Sequence, residues 1–329
     1  TLSSSSAASD VYKRQGFKNA VYGSEALRTS TDGSLNTAIG YSAMYKSSSD
    51  NWNTAVGYGA MYEQNGAESN TAVGSWALKD NEESGNNTAI GTYAMRQAGT
   101  GDYESGKNTA VGYEALYTIG QGGAGNPDGP ADETVGIGYR AGYGTTGVTN
   151  AKAMNHCVYI GSQSDASSAA YSGVVENEIV IGYKAQGQGS NKITLGNSSI
   201  THLQCNTQTI TALSDERDKK DIKDISAGLD FINKVRPAEF TWNQRDGGRV
   251  DIPDVGFIAQ ELQGVQEDTG ITIPSLVVDD NPDKLKATQG KLIPVLVKAI
   301  QELSSTVKAL EAKVESLESA SSSRTNIEL

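Results

Sequence analysis

The sequence predicts an N-terminal all-β repeat, a parallel β-roll or β-solenoid assembled as a trimer, followed by a small α+β domain that ends in a parallel coiled coil. Three observations predict it. A nine-residue pattern recurs at a nearly constant step, the composition changes abruptly near residue 213, and the C-terminal stretch carries an apolar heptad. The 329 residues have a formal net charge of −12, only 37% hydrophobic residues and 37 glycines, with four Phe and three Trp. So little apolar material does not fill one large conventional core; a stack of identical units, or a core completed by oligomerisation, fits better.

The repeat reads NAVYGSEAL from Asn19, NTAIGYSAM from Asn36, NTAVGYGAM from Asn53, NTAVGSWAL from Asn70, NTAIGTYAM from Asn87 and NTAVGYEAL from Asn108. Looser copies follow as TVGIGYRAG from Thr134, CVYIGSQSD from Cys157, IVIGYKAQ from Ile179 and ITLGNSSI from Ile193. Within one unit, period-2 alternation sends Thr37, Ile39 and Tyr41 to one side and Ala38, Gly40 and Ser42 to the other. The second side is nearly bare, so another backbone is expected to approach it closely. The Asn opening each unit, and the Gly, Ser and Asp between units, supply turn chemistry. A disordered Gly/Ser stalk would not need a β-branched residue before each glycine.

The first 15 residues, TLSSSSAASDVYKRQ, carry none of this pattern and resemble translated adapter sequence, so they are expected to stand outside the fold. The repeat shaft is assigned to 16–198 and a connector to 199–213. All 15 tyrosines and 30 of the 37 glycines precede residue 214, whereas five of the seven prolines follow it and charged residues become roughly twice as dense. In the second part Ile222, Ile225, Leu229, Ile232 and Val235 have helical spacing ended by Pro237. Phe240 to Trp242 reads as a strand, Asp246-Gly247-Gly248 as a turn, and Gly256 to Leu262 as another short apolar element. This gives a compact domain over 214–291.

At 292–319 the apolar residues Ile293, Leu296, Ile300, Leu303, Val307, Leu310, Val314 and Leu317 alternate steps of three and four, and a disordered tail is expected over 320–329. Lys313 and Glu318 fall where a g residue meets an e residue of a parallel neighbour. β-Branched residues at a with Leu at d favour dimers in isolation; the repeat half argues for three chains.

Composition also limits function. The acidic balance gives no phosphate-binding surface, so no nucleic-acid partner is expected, and no apolar run is long enough for membrane insertion. Cys157 and Cys205 have no CxxC partner, and with His156 and His202 they match no zinc spacing, so neither disulfide nor metal is expected. Gly106, Gly120, Gly122, Gly123 and Gly125 lack the phosphate-loop lysine, and no cofactor is expected. No carboxylate pair for glycan cleavage stands out among the 39 acids. The repeated tyrosines are read as packing residues rather than sugar platforms.

Two resemblances sharpen this reading. The units over 19–198 resemble the NTAIGxxAL repeats of trimeric adhesin heads and phage-fibre shafts, which implies trimeric rolls. The ordered motifs SDERDKK, VRPAEFTWN, GFIAQEL and LIPVLVKAIQEL over 214–319 resemble the endosialidase-type intramolecular chaperone autoproteases. That resemblance implies a homotrimeric module of a phage tail fibre or tailspike, assembled in the host cytoplasm, which promotes folding of the fibre and then cleaves at its own N-terminal boundary. It further implies Ser214 as nucleophile, Lys219 as general base and Leu213–Ser214 as the bond broken, with Lys220 beside it as the alternative base. The mature fibre would meet a host cell-surface glycan or receptor. A permanently uncleaved trimeric bacterial adhesin, or a fibre with a permanent clamp, is the alternative.

The chemistry sets a condition. A serine hydroxyl needs a base, and lysine serves as one only where burial or cationic neighbours lower its proton affinity. Asp215, Glu216, Asp218 and Asp221 surround Lys219 and act the other way, so folding must desolvate the lysine and hold the acids off. Residues five apart on a helix do not face each other, so Ser214 is expected in an extended or turn segment leading into a helix that carries Lys219.

Overall fold

A computed structural model describes residues 17–82, 84–98, 106–119, 131–143, 154–166, 174–206 and 211–325. The leader expected over 1–15 and the glycines at 120–125 lie outside the described residues. The chain divides into two compact units after Ile200.

The first unit is a parallel β-solenoid. Ten three-residue strands, from Ala20–Tyr22 and Thr37–Ile39 through to Ile179–Ile181 and Ile193–Leu195, form one sheet in sequence order. A second parallel sheet runs through Lys46–Ser47, Glu63–Asn65, Asp80–Glu82, Gln97–Ala98 and Thr118–Ile119. Register follows the repeat: Thr37 pairs with Thr54, Thr54 with Thr71, Thr71 with Thr88 and Thr88 with Thr109.

The bare side of each strand is the inside. Ala38, Ala55, Ala72, Ala89 and Ala110 are fully buried beside the paired Ala43-Met44, Ala60-Met61, Ala77-Leu78 and their equivalents. The backbone that approaches the small residues is therefore the far wall of the same coil. The bulky side faces out, with Ile39, Val73, Ile90, Ile137 and Ile181 each about 40% exposed. Only a glycine fits the corner after each strand. Gly74 has φ +139, and a Cβ there would lie 2.5 Å from the Gly91 carbonyl oxygen.

The recurring Asn does more than turn the chain. Asn36, Asn53, Asn70, Asn87 and Asn108 are buried in a ladder. Each side-chain Oδ1 accepts the backbone N–H of the corresponding residue in the next coil, at 2.9 Å from Asn53, 2.8 Å from Asn70 and 2.8 Å from Asn87. The Nδ2 of Asn53 donates to Ala67 O at 2.9 Å and that of Asn108 to Ala131 O at 2.7 Å. In these coils one Asn side chain thus satisfies two buried backbone groups, as an interior closed to solvent requires. Where Asn gives way to Glu178, the buried carboxylate accepts the Tyr159 hydroxyl at 3.1 Å and Gly189 N–H at 2.7 Å.

In the second unit the expected helix over 222–235 shrinks to α1 (Leu229–Ile232). Ile222 and Ile225 are exposed, and Asp221 has a left-handed φ of 56°, so the charged tract before Gly228 does not wind. A hairpin of Ala238–Asn243 and Val250–Gly256 follows, with a bulge at Trp242/Asn243. Next come α2 (Ala259–Thr269), closed by Gly270 at φ 64°, and a short hairpin of Val277–Val278 with Lys286–Ala287. The core comprises Ala227, Phe231, Leu262, Val265, Ile273, Leu276, Leu292 and Val295.

The terminal helix α3 (Leu292–Thr325, 34 residues) has two apolar faces at its start. Leu292, Val295 and Ala299 are buried against the domain, and Glu302 on the same side accepts Leu229 N–H at 2.7 Å, capping α1. The heptad residues Ile293, Leu296, Ile300, Leu303, Val307, Leu310, Val314 and Leu317 all remain exposed. The domain's own core therefore does not use the heptad stripe. The helix runs on to Thr325, into the stretch expected as a disordered tail over 320–329, which is helical that far.

Candidate active site

The segment that opens the second unit's charged tract is short and exposed. Asp215 begins a single 3-10 turn, Glu216–Asp218, by accepting Arg217 N–H on its side chain at 2.9 Å. Lys219 N–H closes the turn on Glu216 O at 3.0 Å. Lys219 itself is extended, with φ −124° and ψ 148°. The expectation of a helix carrying Lys219 is therefore corrected. A one-turn loop sends the long lysine side chain back over its own start, which a continuing helix would not do.

This loop brings the two expected residues together. Lys219 Nζ donates to Ser214 Oγ at 2.7 Å and to Ser214 O at 3.0 Å. Lys220 takes no part in this contact. Leu213, on the other side of the bond in question, is 97% exposed. Chemically, the arrangement pairs a hydroxyl with an amine at proton-transfer distance, next to an accessible peptide bond.

Sequence reasoning treated Asp215 as an adverse charge and overlooked Arg217. The Arg217 guanidinium grips the Asp215 carboxylate at 3.0 and 2.6 Å, holding that carboxyl below the usual range. The Asp-x-Arg spacing was the available signal. Cys157 is buried with its Sγ on the Asn155 and Val175 carbonyls, burial raising its thiol, and no cluster able to hold a metal occurs among the described residues. No helix among the described residues is long and apolar enough to cross a membrane.

Against known families, residues 214–271 match the peptidase family S74 model, described as chaperone of endosialidase. The matched segment starts at Ser214 and spans the turn, α1, the hairpin and α2. Comparison with curated proteins and with solved structures gives no match.

Proposed function

We propose, from an endosialidase-type chaperone segment at residues 214–271, that this chain is a phage tail-fibre or tailspike segment which trimerises, folds with the help of its C-terminal module, and then releases that module by cleaving Leu213–Ser214. The observation that carries the reading is the 2.7 Å contact between Lys219 Nζ and Ser214 Oγ, at the first residues of the matched segment. Lys219, once deprotonated, takes the Ser214 hydroxyl proton. The oxygen then attacks the Leu213 carbonyl carbon, the C–N bond to Ser214 breaks, and the amine takes up the proton. Water next hydrolyses the resulting ester, leaving a Leu213 carboxylate and a free Ser214 terminus.

Ser214 and Lys219 are both exposed in the single chain. A lysine becomes a base when water is removed from it, so the cover must come from assembly, and cleavage waits for the trimer. Two exposed apolar stripes support that assembly: the outward Val/Ile line of the solenoid and the heptad of α3. Assembly takes place in the host cytoplasm, and the mature fibre meets a host cell-surface glycan or receptor. The openness of the Ser214–Lys219 pair also favours a second reading, a permanent uncleaved clamp or adhesin. Mass spectrometry of the recombinant chain separates them: cleavage gives fragments ending at Leu213 and beginning at Ser214, and a permanent clamp gives the full 329 residues alone.

A further inference from the structure

Residues 211–226 are all exposed, so burial does not hold Lys219 over Ser214 in the single chain; the backbone between them does. Five residues of extended chain would set the two about 17 Å apart, beyond the reach of a lysine side chain on its four-carbon stem. The Glu216–Asp218 turn removes that distance. Its backbone supplies two hydrogen bonds, Asp218 N–H to Asp215 O at 3.2 Å and Lys219 N–H to Glu216 O at 3.0 Å. Both lie in an exposed segment, where water competes for each donor and acceptor.

A side chain supplies a third bond. Asp215 stands immediately before the turn in extended backbone, φ −66° and ψ 137°, and its Oδ1 accepts Arg217 N–H at 2.9 Å. A turn cannot satisfy its own first amides, so the carboxylate closes the open end. The same carboxylate is gripped by the Arg217 guanidinium, Nε on Oδ1 at 3.0 Å and Nη2 on Oδ2 at 2.6 Å. Magnitudes rank the two contacts. An N-cap shifts the population of the structure it begins by about 2- to 30-fold, whereas an exposed ion pair contributes about 1.5- to 5-fold. The Arg217 side chain is 88% exposed, so the cap is the larger contribution and the guanidinium serves it by holding both carboxylate oxygens.

We propose that Asp215 is a positioning residue for cleavage at Leu213–Ser214, capping the turn that returns Lys219 Nζ to 2.7 Å from Ser214 Oγ. This role rests on Ser214 and Lys219 being the cleaving pair. It is the reverse of what the Asp215 charge suggests. A carboxylate near a lysine favours the protonated amine, yet this one builds the geometry in which the amine meets the hydroxyl. Cap and charge therefore act on the reaction in opposite directions, and substitution separates them. Asn and Ser cap about as well as Asp without the charge, and Ala neither caps nor carries charge. The extended backbone of Asp215 accepts any of the three without strain.

The test is a time course of intact mass for the native full chain, Asp215→Asn, Asp215→Ser and Asp215→Ala, at neutral and at alkaline pH, with assembly mass measured on the same samples. Because the three variants all lack the charge, differences among them report the cap. Asp215→Asn and Asp215→Ser should each cleave at least threefold faster than Asp215→Ala. That ratio should be the same at both pH values, since a cap sets how often the pair meets and not its protonation. Equal rates for Asp215→Asn and Asp215→Ala in assemblies of the same mass overturn the role, and so does a ratio that changes with pH. Loss of assembly in Asp215→Ala overturns it as well, because the residue would then support the whole module rather than the turn. A native chain that assembles and stays whole strikes the cleaving pair itself, and this role falls with it.

Discussion

Replacing Asn53 by Ala tests the ladder that locks one coil to the next. Asn53 is fully buried; its Oδ1 accepts Asn70 N–H at 2.8 Å, and its Nδ2 donates to Ala67 O at 2.9 Å. Alanine removes both partners and leaves two buried backbone groups without the side chain that satisfied them. At about 1–3 kcal/mol for each group, the loss is about 2–6 kcal/mol. In a stack stabilised by nearest neighbours, such a loss at an inner coil uncouples the coils on either side. Urea unfolding followed by circular dichroism, with amide hydrogen exchange to locate the opening, reads both effects. The adjacent Trp52 points outward and is 56% exposed, so Trp52→Ala serves as the control and should cost less than about 1 kcal/mol. Equal stability of the two variants, or exchange that rises no faster at Asn70 than in distant coils, would refute the ladder.

Two other perturbations follow from the structure. Burial pushes the Asp50 carboxyl up against the opposing pull of the Ser47 hydroxyl and the Gly66 and Ala67 amides. Its folded value lies above the unfolded one, so this group favours the fold when protonated and opposes it as pH rises. Asp50→Asn keeps a partner for Ser47 and Ala67 without the charge, so its urea midpoint relative to the native chain should rise between pH 4.5 and pH 7; a fall would contradict the assignment. Leu310→Asp places a carboxylate in the heptad stripe of α3, at a cost on the order of several kcal/mol if that stripe is buried between chains. Light scattering and a denaturing gel should then show assembly and cleavage lost together, and efficient cleavage by a monomeric variant would break the link between them.

The architecture was legible because the repeat is a direct imprint of it: a recurring alternation must stack in register, and it does. The direction of the strand faces was not. Ala38 and Ala55 marked a side that another backbone approaches closely, without saying that this side is the interior of their own coil, where they lie fully buried beside Met44 and Met61. The Asn ladder was equally hidden, since Asn signals a turn and a buried side-chain bridge alike. In the C-terminal unit, helical spacing over Ile222 and Ile225 misled because their apolar side chains alternate with charges that stay in water. The pairing of Ser214 with Lys219 came from motif resemblance; the loop that achieves it, and the Arg217 that pairs with Asp215, required coordinates.

The central claim is that the chain cuts itself in front of Ser214 with the pair the loop assembles. Its most direct measurement is a time course of intact mass for the native chain, Ser214→Ala, Lys219→Ala and Lys220→Ala, after light scattering has established that each forms the same assembly. The native chain and Lys220→Ala should yield a new terminus at residue 214. Ser214→Ala and Lys219→Ala should remain at full length, and their double variant should be no more impaired than either alone. A terminus at residue 214 from Ser214→Ala, or a native chain that assembles and never cleaves, would contradict the mechanism.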